Sequence, residues 1–480
     1  MIFKQITKFL KHRLFIGAFI ILGQTLFSQN TTALNETLNS LVQHPDFSPA
    51  LVGVHIVSID NNKEILSYNA HKKLTPASIT KLITTHNAFY FLTPEFKFKT
   101  TISILGERKD SIFSGTIKIT GSGDPTLESR FFKSRKNILS NAVIDFFKYE
   151  KLNTIIGNIQ VDYSIFDFPS TPSTWLWSDI GNYYGASPCG LNYKDNSITV
   201  FLQSDNQKVS VLKTEPSEIP YVLVNQLTVK NFKKDSAYAY CCPFSDTILL
   251  SGAIPKNRSS FKIKIANPKP FNLFKEDLKK QFKENNISFS HLPTNYLLVT
   301  KKDVFSPPLS KIVAVTNLYS NNLYAESLNF YLGYKKFGKG NFLTGIKAQM
   351  QLMKKQNLPV DEVSLFDGSG LSPMNAVTPY FFTQLLVKSY KSDFKNEYLK
   401  SLPKAGISGT LRNFGKNTIL ENNLQAKSGY MEGVRSYAGY FTGKSGQKYA
   451  FCIIVNHYNG SPYEAKKAIE SFLVKACNDL

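Results

Sequence analysis

Histidine and cysteine are scarce in this chain and poorly spaced for chemistry. Seven histidines and five cysteines are scattered over 480 residues. No Cys/His group has zinc-ligand spacing, which argues against metal catalysis, and no grouping suggests a Ser-His-Asp triad. The expectation is an enzyme or binding protein with no metal and no cofactor. The cysteines (Cys189, Cys241, Cys242, Cys452 and Cys477) are odd in number, so they cannot all pair within one chain. A bond between the adjacent Cys241 and Cys242 would be strained. Cys452, within Tyr449-Ala450-Phe451-Cys452-Ile453-Ile454-Val455, reads as a buried core thiol. Acidic residues are also few, 35 against 57 Lys and Arg, for a net charge of +22. That surplus suits an anionic environment such as cell-wall polymer, membrane surface or nucleic acid, although most of these lysines read as solvated surface. Internal repeats and low-complexity linkers are lacking. Hydrophobic content of 42% and charge of 19% fit an ordinary globular protein, and the length suits two or three domains.

Residues 1–28 differ from the rest. Lys4, Lys8, Lys11 and Arg13 form a basic start, Leu14 to Phe27 is mostly apolar, and Ser28-Gln29 opens a polar stretch. This pattern predicts a cleaved signal peptide and a periplasmic mature chain, with an uncleaved anchor as the alternative. No cysteine near the cleavage point supports a lipoprotein. Removal lowers the net charge by four, to about +18. Export argues against nucleic acid and leaves peripheral association with cell wall or membrane.

The most informative segment is Thr75-Pro76-Ala77-Ser78-Ile79-Thr80-Lys81-Leu82. With Thr75 as N-cap and Pro76 at the first helical position, Ser78 falls in the first turn and Lys81 on the same face. There the helix dipole favours developing negative charge. A lysine whose pKa is lowered by burial or by another cation can take the serine proton. Five other Ser-x-x-Lys runs, starting at Ser210, Ser259, Ser392, Ser401 and Ser445, show how cheap the motif is. Ser210 and Ser259 lie in or beside alternating strand patterns, Pro403 interrupts the fourth, and Ser445 reads as a turn. Ser392 could be helical, but its turn reads as solvated. Only Ser78 precedes an apolar helix, through Leu82, Ile83, Ala88, Phe89 and Leu92.

A helix is expected over Thr32–Leu41 and a hairpin over Leu51–Ile59 and Glu64–Tyr68. From Phe96 to Ile265 the pattern is β-rich, with strands expected at Thr100–Leu105, Gly115–Thr120, Ser197–Leu202, Val209–Lys213, Tyr221–Val229, Thr247–Leu250 and Lys262–Ile265. Helices are expected at Phe271–Asn285, Asn321–Leu332, Phe342–Gln356 and Tyr463–Cys477, and strands at Leu424–Lys427, Ser436–Phe441 and Tyr449–Asn456. The two early and three late strands suit one antiparallel sheet flanked by helices, with a large β-rich insertion between.

Two further stretches complete the set. Ser320-Asn321-Asn322 precedes a helix; taken alone it is a capping turn with Ser320 as N-cap. Lys427-Ser428-Gly429-Tyr430 ends a strand, and a second Lys-Ser-Gly at Lys444 is explained by a hairpin turn. The order Ser-x-x-Lys, Ser-x-Asn, Lys-[Ser/Thr]-Gly is that of penicillin-binding proteins and class A β-lactamases. The chain resembles the D-alanyl-D-alanine carboxypeptidase/endopeptidase family, the low-molecular-mass class C penicillin-binding proteins. Also similar are Gly121-Ser122-Gly123-Asp124-Pro125-Thr126-Leu127, Asp367-Gly368-Ser369-Gly370-Leu371-Ser372, Ala405-Gly406-Ile407-Ser408-Gly409-Thr410-Leu411, Gly433-Val434 and Ala438-Gly439-Tyr440. The long gap between Ser78 and Ser320 fits that family, which inserts domains after the nucleophile helix; class A β-lactamases lack the insertion.

The resemblance implies an α+β penicillin-binding fold, with a discontinuous catalytic domain over 29–95 and 300–480 and inserted β-rich domains over 96–299. It implies Ser78 as nucleophile, Lys81 as base and Ser320 as proton relay. Asn322 would bind the substrate peptide and Lys427 and Ser428 the terminal carboxylate. Lys427 would help keep Lys81 neutral, and the backbone N–H groups of Ser78 and Tyr430 would form the oxyanion hole. Peptidoglycan stem peptides are the implied substrate and β-lactams the covalent inhibitors. Two departures stand out: Ser428 replaces the usual threonine, and Tyr430 a small hydroxyl residue. Asp367 reads first as structural, with a part in the site as the alternative, and Arg435 either as a carboxylate ligand or as a solvated strand residue. A β-lactamase-like hydrolase and a non-catalytic wall-binding scaffold are the competing readings.

Overall fold

Strand Leu51–Ser58 (LVGVHIVS) is buried along seven of its eight residues, so both faces of its sheet must be covered. The computed structural model describes residues 32–480 apart from 169, 233–234, 243 and 293–297. The expected signal peptide lies outside the described residues. The described chain divides into two compact units.

The first unit runs to Pro76 and adds Ala376–Lys391 and Leu402–Leu480. Its centre is a five-stranded sheet in the order Gln425–Met431, Val434–Thr442, Lys448–Asn456, Leu51–Ser58, Glu64–Tyr68. Every neighbouring pair is antiparallel. The two early and three late strands therefore form one sheet, as the alternation predicts. On one face Val52, Val54, Ile56, Phe451, Ile453 and Val455 pack with the helix over residues 32–42 and the helix Pro462–Asp479. On the other, helix Pro379–Tyr390 lies against the central strands; its Thr383 Oγ1 is 2.6 Å from His55 Nδ1, and Leu386 O accepts from Tyr440 Oη. This helix is absent from the expected elements, although Thr378 caps it by accepting from Phe381 N and Pro379 opens it.

The second unit holds Ala77–Asn375 and Ser392–Ser401. Helix Lys81–Leu92 is buried on nearly all sides by helices Leu309–Leu318, Asn322–Phe337 and Phe342–Lys355. The intervening chain builds three sheets. The first is mixed, in the order Ser288–His291, Thr154–Asp162, Ile112–Thr120, Lys99–Lys109, Leu298–Phe305, and is covered by helices Ile138–Tyr149 and Pro270–Glu284. The other two have three strands each: Arg258–Ala266, Ser197–Ser204, Val209–Glu215, and Val222–Lys230, Thr247–Pro255, Tyr238–Tyr240. These two share one apolar core.

Helix Leu309–Leu318 and strands Ser288–His291 and Leu298–Phe305 are absent from the expected elements, and two others depart from the expected pattern. Ile138–Tyr149 is a helix within a stretch expected to be strands and turns; Leu139, Ala142, Val143 and Phe147 form its buried stripe. Thr154–Asp162, absent from the expected strands, is an interior strand of its sheet although it contains Gly157. Gly157 pairs with Gly115, itself paired with Gly106, and a Cβ on Gly157 would lie 1.7 Å from Gly115 O. Glycine is there for close approach between strands. All five cysteines are free, with Cys452 wholly buried in its strand. Among the described residues no helix is long and apolar enough to cross a membrane.

Candidate active site

The segment around Ser78 starts differently from the expected capped helix. Ala77–Thr80 is a single 3-10 turn, and the α-helix begins at Lys81. Thr75 is not the cap: its N–H donates to Asn456 Oδ1 at 2.7 Å and its carbonyl accepts from Asn456 Nδ2, which ties it to a strand. Ala77 has φ +49. A left-handed alanine costs about 1 kcal/mol, held here by the surrounding packing. Ser78 and Lys81 still share a face, with Lys81 Nζ 3.0 Å from Ser78 Oγ.

Lys81 is fully buried and has two more partners. Its Nζ donates to Asn322 Oδ1 at 2.6 Å and to Ser369 O at 2.6 Å. Both are pure acceptors. The orientation of the Asn322 amide follows from its Nδ2 donating to Tyr184 O at 2.8 Å. A neutral amine has two N–H groups and one lone pair. The two carbonyl oxygens take the two hydrogens, so the lone pair faces Ser78 Oγ.

Two buried carboxylates stand behind the lysine. Glu326 accepts from the N–H groups of Gly368 (2.9 Å) and Ser369 (2.6 Å) and from Asn329 Nδ2. Asp367 accepts from Trp175 Nε1, Gly370 N, Ser372 N and Asn375 Nδ2, all between 2.6 and 2.8 Å. Together they shape the 367–372 loop that presents Ser369 O to Lys81. The four donors to Asp367 fit a structural part, and its charge also reaches Lys81. Glu326 was missed. Its signal was Asn322, Glu326 and Asn329, polar residues at helical spacing inside the otherwise apolar start of helix Asn322–Phe337.

Burial pulls the Lys81 pKa down to about 7, with the Asp367 and Glu326 charges opposing the shift. Burial, followed by the neighbouring Asp367 charge, pushes the Glu326 carboxyl upward. A base must be neutral, so acylation of Ser78 should rise with pH through about 7 and level off above it. Removing a carboxylate that favours the ammonium lowers the lysine further, so Glu326→Gln should move that acidic limb to lower pH. A limb that stays or rises in a pH profile of acylation rates would separate Glu326 from Lys81. The same shift sets a stability term. Between about 7 and 10.5 only the unfolded chain holds this proton, so the contribution of Lys81 to stability grows with pH across that window.

Ser320 lies two residues before Asn322 with φ +55. It is not the N-cap: Asn321 is, accepting from Tyr324 N at 3.1 Å. Ser320 and Asn322 line a cavity of about 100 Å³ with Arg130, Tyr183 and Tyr184. The second unit thus brings Ser78 and Asn322 each into contact with Lys81, and Ser320 lies near Asn322 on the same cavity.

Lys427, Ser428 and Tyr430 belong to the first unit, on its outermost strand Gln425–Met431. Lys427 is buried and its Nζ donates to Ser428 O at 2.6 Å. Ser428 Oγ donates to Thr410 Oγ1 at 2.7 Å, and Thr410 lies in the 405–411 stretch. Tyr430 is half exposed. Arg435 is partly buried: its Nε donates to Tyr437 Oη at 3.0 Å, and the guanidinium lies 5.5 Å from the ring centres of Tyr430 and Tyr437.

Similar proteins set this geometry in context. The chain is 25% identical over 468 residues to a D-alanyl-D-alanine carboxypeptidase of Haemophilus influenzae, covering 94% of each. It is 27% identical to penicillin-sensitive carboxypeptidase A of Dictyostelium discoideum, over 78% of this chain and 75% of that one. The crystal structure of penicillin-binding protein 4 from Haemophilus influenzae superposes with a TM-score of 0.76 at 23% identity, over 92% of this chain and 97% of the other, which shows a shared fold. A family model matches residues 34–476, nearly all of the described chain, and on that match the chain belongs to the D-Ala-D-Ala carboxypeptidase 3 (S13) family.

Proposed function

We propose that the protein is a serine D-Ala-D-Ala carboxypeptidase/endopeptidase that acts on peptidoglycan stem peptides and cross-links. The observation that carries this reading is the fully buried Lys81 amine 3.0 Å from Ser78 Oγ, its other positions taken by Asn322 Oδ1 and Ser369 O. Ser78 attacks the carbonyl of the D-Ala-D-Ala bond as its proton passes to Lys81. Ser320 relays a proton to the leaving amine. Asn322 holds Lys81 with its Oδ1 and binds the substrate peptide. Water then releases the acyl group, and Lys81 again accepts the proton.

For Lys427 and Ser428 we propose capture of the terminal carboxylate, and for the Ser78 and Tyr430 N–H groups the oxyanion hole. Such a donor contributes about 3–4 kcal/mol in other serine enzymes. Lys81 reaches a depressed pKa chiefly by burial, so a second cation has a supporting part in this scheme. The catalytic domain is proposed to comprise 29–95 and 300–480, with 96–299 as inserted domains, and the mature chain to be periplasmic after removal of residues 1–28.

The test is covalent. Penicillin incubated with the mature chain should add one acyl group, and peptide mass mapping should place it on the peptide that contains Ser78. Acylation elsewhere removes the nucleophile assignment. A folded chain that is never acylated would favour a non-catalytic member of the family.

A further inference from the structure

The strand Arg258–Ala266 alternates strictly over its last part. Ile263 and Ile265 point into the core, while Lys262 and Lys264 stay exposed on the opposite face. Its partner strand continues that face, with Phe201 opposite Lys262 and Thr199 opposite Lys264. Lys262 Nζ and Lys213 Nζ each lie 4.7 Å from the Phe201 ring centre, so two like charges share one aromatic surface. Among the described residues neither Lys262 nor Lys264 has a carboxylate at ion-pair distance. Burial first, then Arg130, lowers the Lys264 pKa; the Asp195 charge opposes the shift and Lys262 adds to it.

This face forms one wall of an open cavity of about 510 Å³, whose lining includes Arg130, Tyr183, Tyr184, Tyr238, Lys262 and Lys264. Among the described residues Asp235 is the one carboxylate on the lining, and its Oδ1 already accepts from Ala237 N. Arg130 carries its own counter-charge, with Asp195 at 3.7 Å. The cavity shares Arg130, Tyr183 and Tyr184 with the smaller one lined by Ser320 and Asn322. The loop between them is fixed to the catalytic cluster, because Tyr184 O is the acceptor for Asn322 Nδ2.

We propose that this groove is an extended subsite for a carboxylate-bearing peptide, engaging a free carboxylate of the substrate away from the scissile bond through Lys262 and Lys264. The ligand is peptidic because the groove continues from the residues placed at the reacting dipeptide; in this the inference rests on the activity proposed above. The tyrosines offer flat surfaces and hydroxyl partners for its backbone, and the lysines reward negative charge.

A matched substrate pair tests this. The two are L-Ala-γ-D-Glu-L-Lys-D-Ala-D-Ala, with its free α-carboxylate, and the same peptide with that carboxylate as the amide. The parent should prefer the carboxylate form in kcat/KM by about tenfold or more, less at high salt. In Lys262→Gln/Lys264→Gln the ratio should fall to about one. The ratio is read within each protein, which cancels any change in active fraction. A parent ratio near one, or a variant that keeps the parent ratio, overturns the subsite. Penicillin acylation of the parent separates the two readings. If it proceeds while the ratio is one, only the groove fails; if neither penicillin nor either peptide reacts, the proposed activity fails and the groove falls with it.

Discussion

Lys81→Met should slow penicillin acylation by about 10³-fold, within the 10²–10⁴ range typical of a positioned general base. Methionine matches the length and apolar stem of lysine and suits a fully buried position. It cannot accept the Ser78 proton. It also leaves Asn322 Oδ1 and Ser369 O without their donor, at about 1–3 kcal/mol for each oxygen that finds no other partner. That cost is partly offset, because a buried amine with a pKa near 7 is itself expensive to keep at neutral pH. The fold should therefore survive and the rate should not. Lys81→Arg sharpens the result. Arginine keeps a charge and its donors but is never neutral at working pH. If a cation were enough, arginine would rescue; if a lone pair on nitrogen is needed, it will not. Second-order acylation constants for the three proteins decide it, and an arginine variant within tenfold of the parent removes Lys81 as the base.

The chemistry at Ser78 was legible because it is local. A serine and a lysine three residues apart meet whether the turn is α or 3-10, so the misplaced start of the helix did not spoil the pairing. What holds Lys81 was harder to read. Asn322 lies 241 residues away and Ser369 lies 288 away. Glu326 acts through its charge and through a backbone loop rather than by touching the lysine side chain. Nothing in a window around Lys81 reports either; only a polar stripe on an apolar helix points to Glu326.

The same distinction runs through the fold. The three last strands, Gln425–Met431, Val434–Thr442 and Lys448–Asn456, follow one another with short turns, so alternation alone reveals the sheet. Thr154–Asp162 was invisible because Gly157 is selected by a neighbouring strand, not by its own neighbours in sequence. Ile138–Tyr149 starts at Asn137, a left-handed residue with no side-chain cap bond, which removes the usual start signal. Local signals revealed these features, and contacts distant in sequence hid the rest.

Gly370→Ala should be among the most damaging small changes in the chain. Gly370 has φ +79, and a Cβ built there would lie 2.0 Å from Ala77 O and 2.8 Å from Thr80 Oγ1. Those atoms belong to the turn that carries Ser78, and Thr80 Oγ1 donates to Ala77 O within it. The neighbouring residue Ser369 supplies a carbonyl to Lys81. A methyl group at 370 must therefore push the nucleophile turn away from the loop that orients the base. We expect a loss of about 2–4 kcal/mol in stability from overpacking and backbone strain together. The acylation rate should fall by about 100-fold, because a displacement of about 1 Å between reacting groups is enough for that. Gly338→Ala is the control. Gly338 has φ +71 at the end of helix Asn322–Phe337, and a Cβ added there would meet nothing within 4 Å. It should cost only about 1 kcal/mol, the penalty for a left-handed alanine, with acylation unchanged. Thermal melts and penicillin acylation rates for both variants separate strain from contact. Equal effects at the two glycines would show that backbone conformation alone matters, and that the close approach of residue 370 to the nucleophile turn has no part in catalysis.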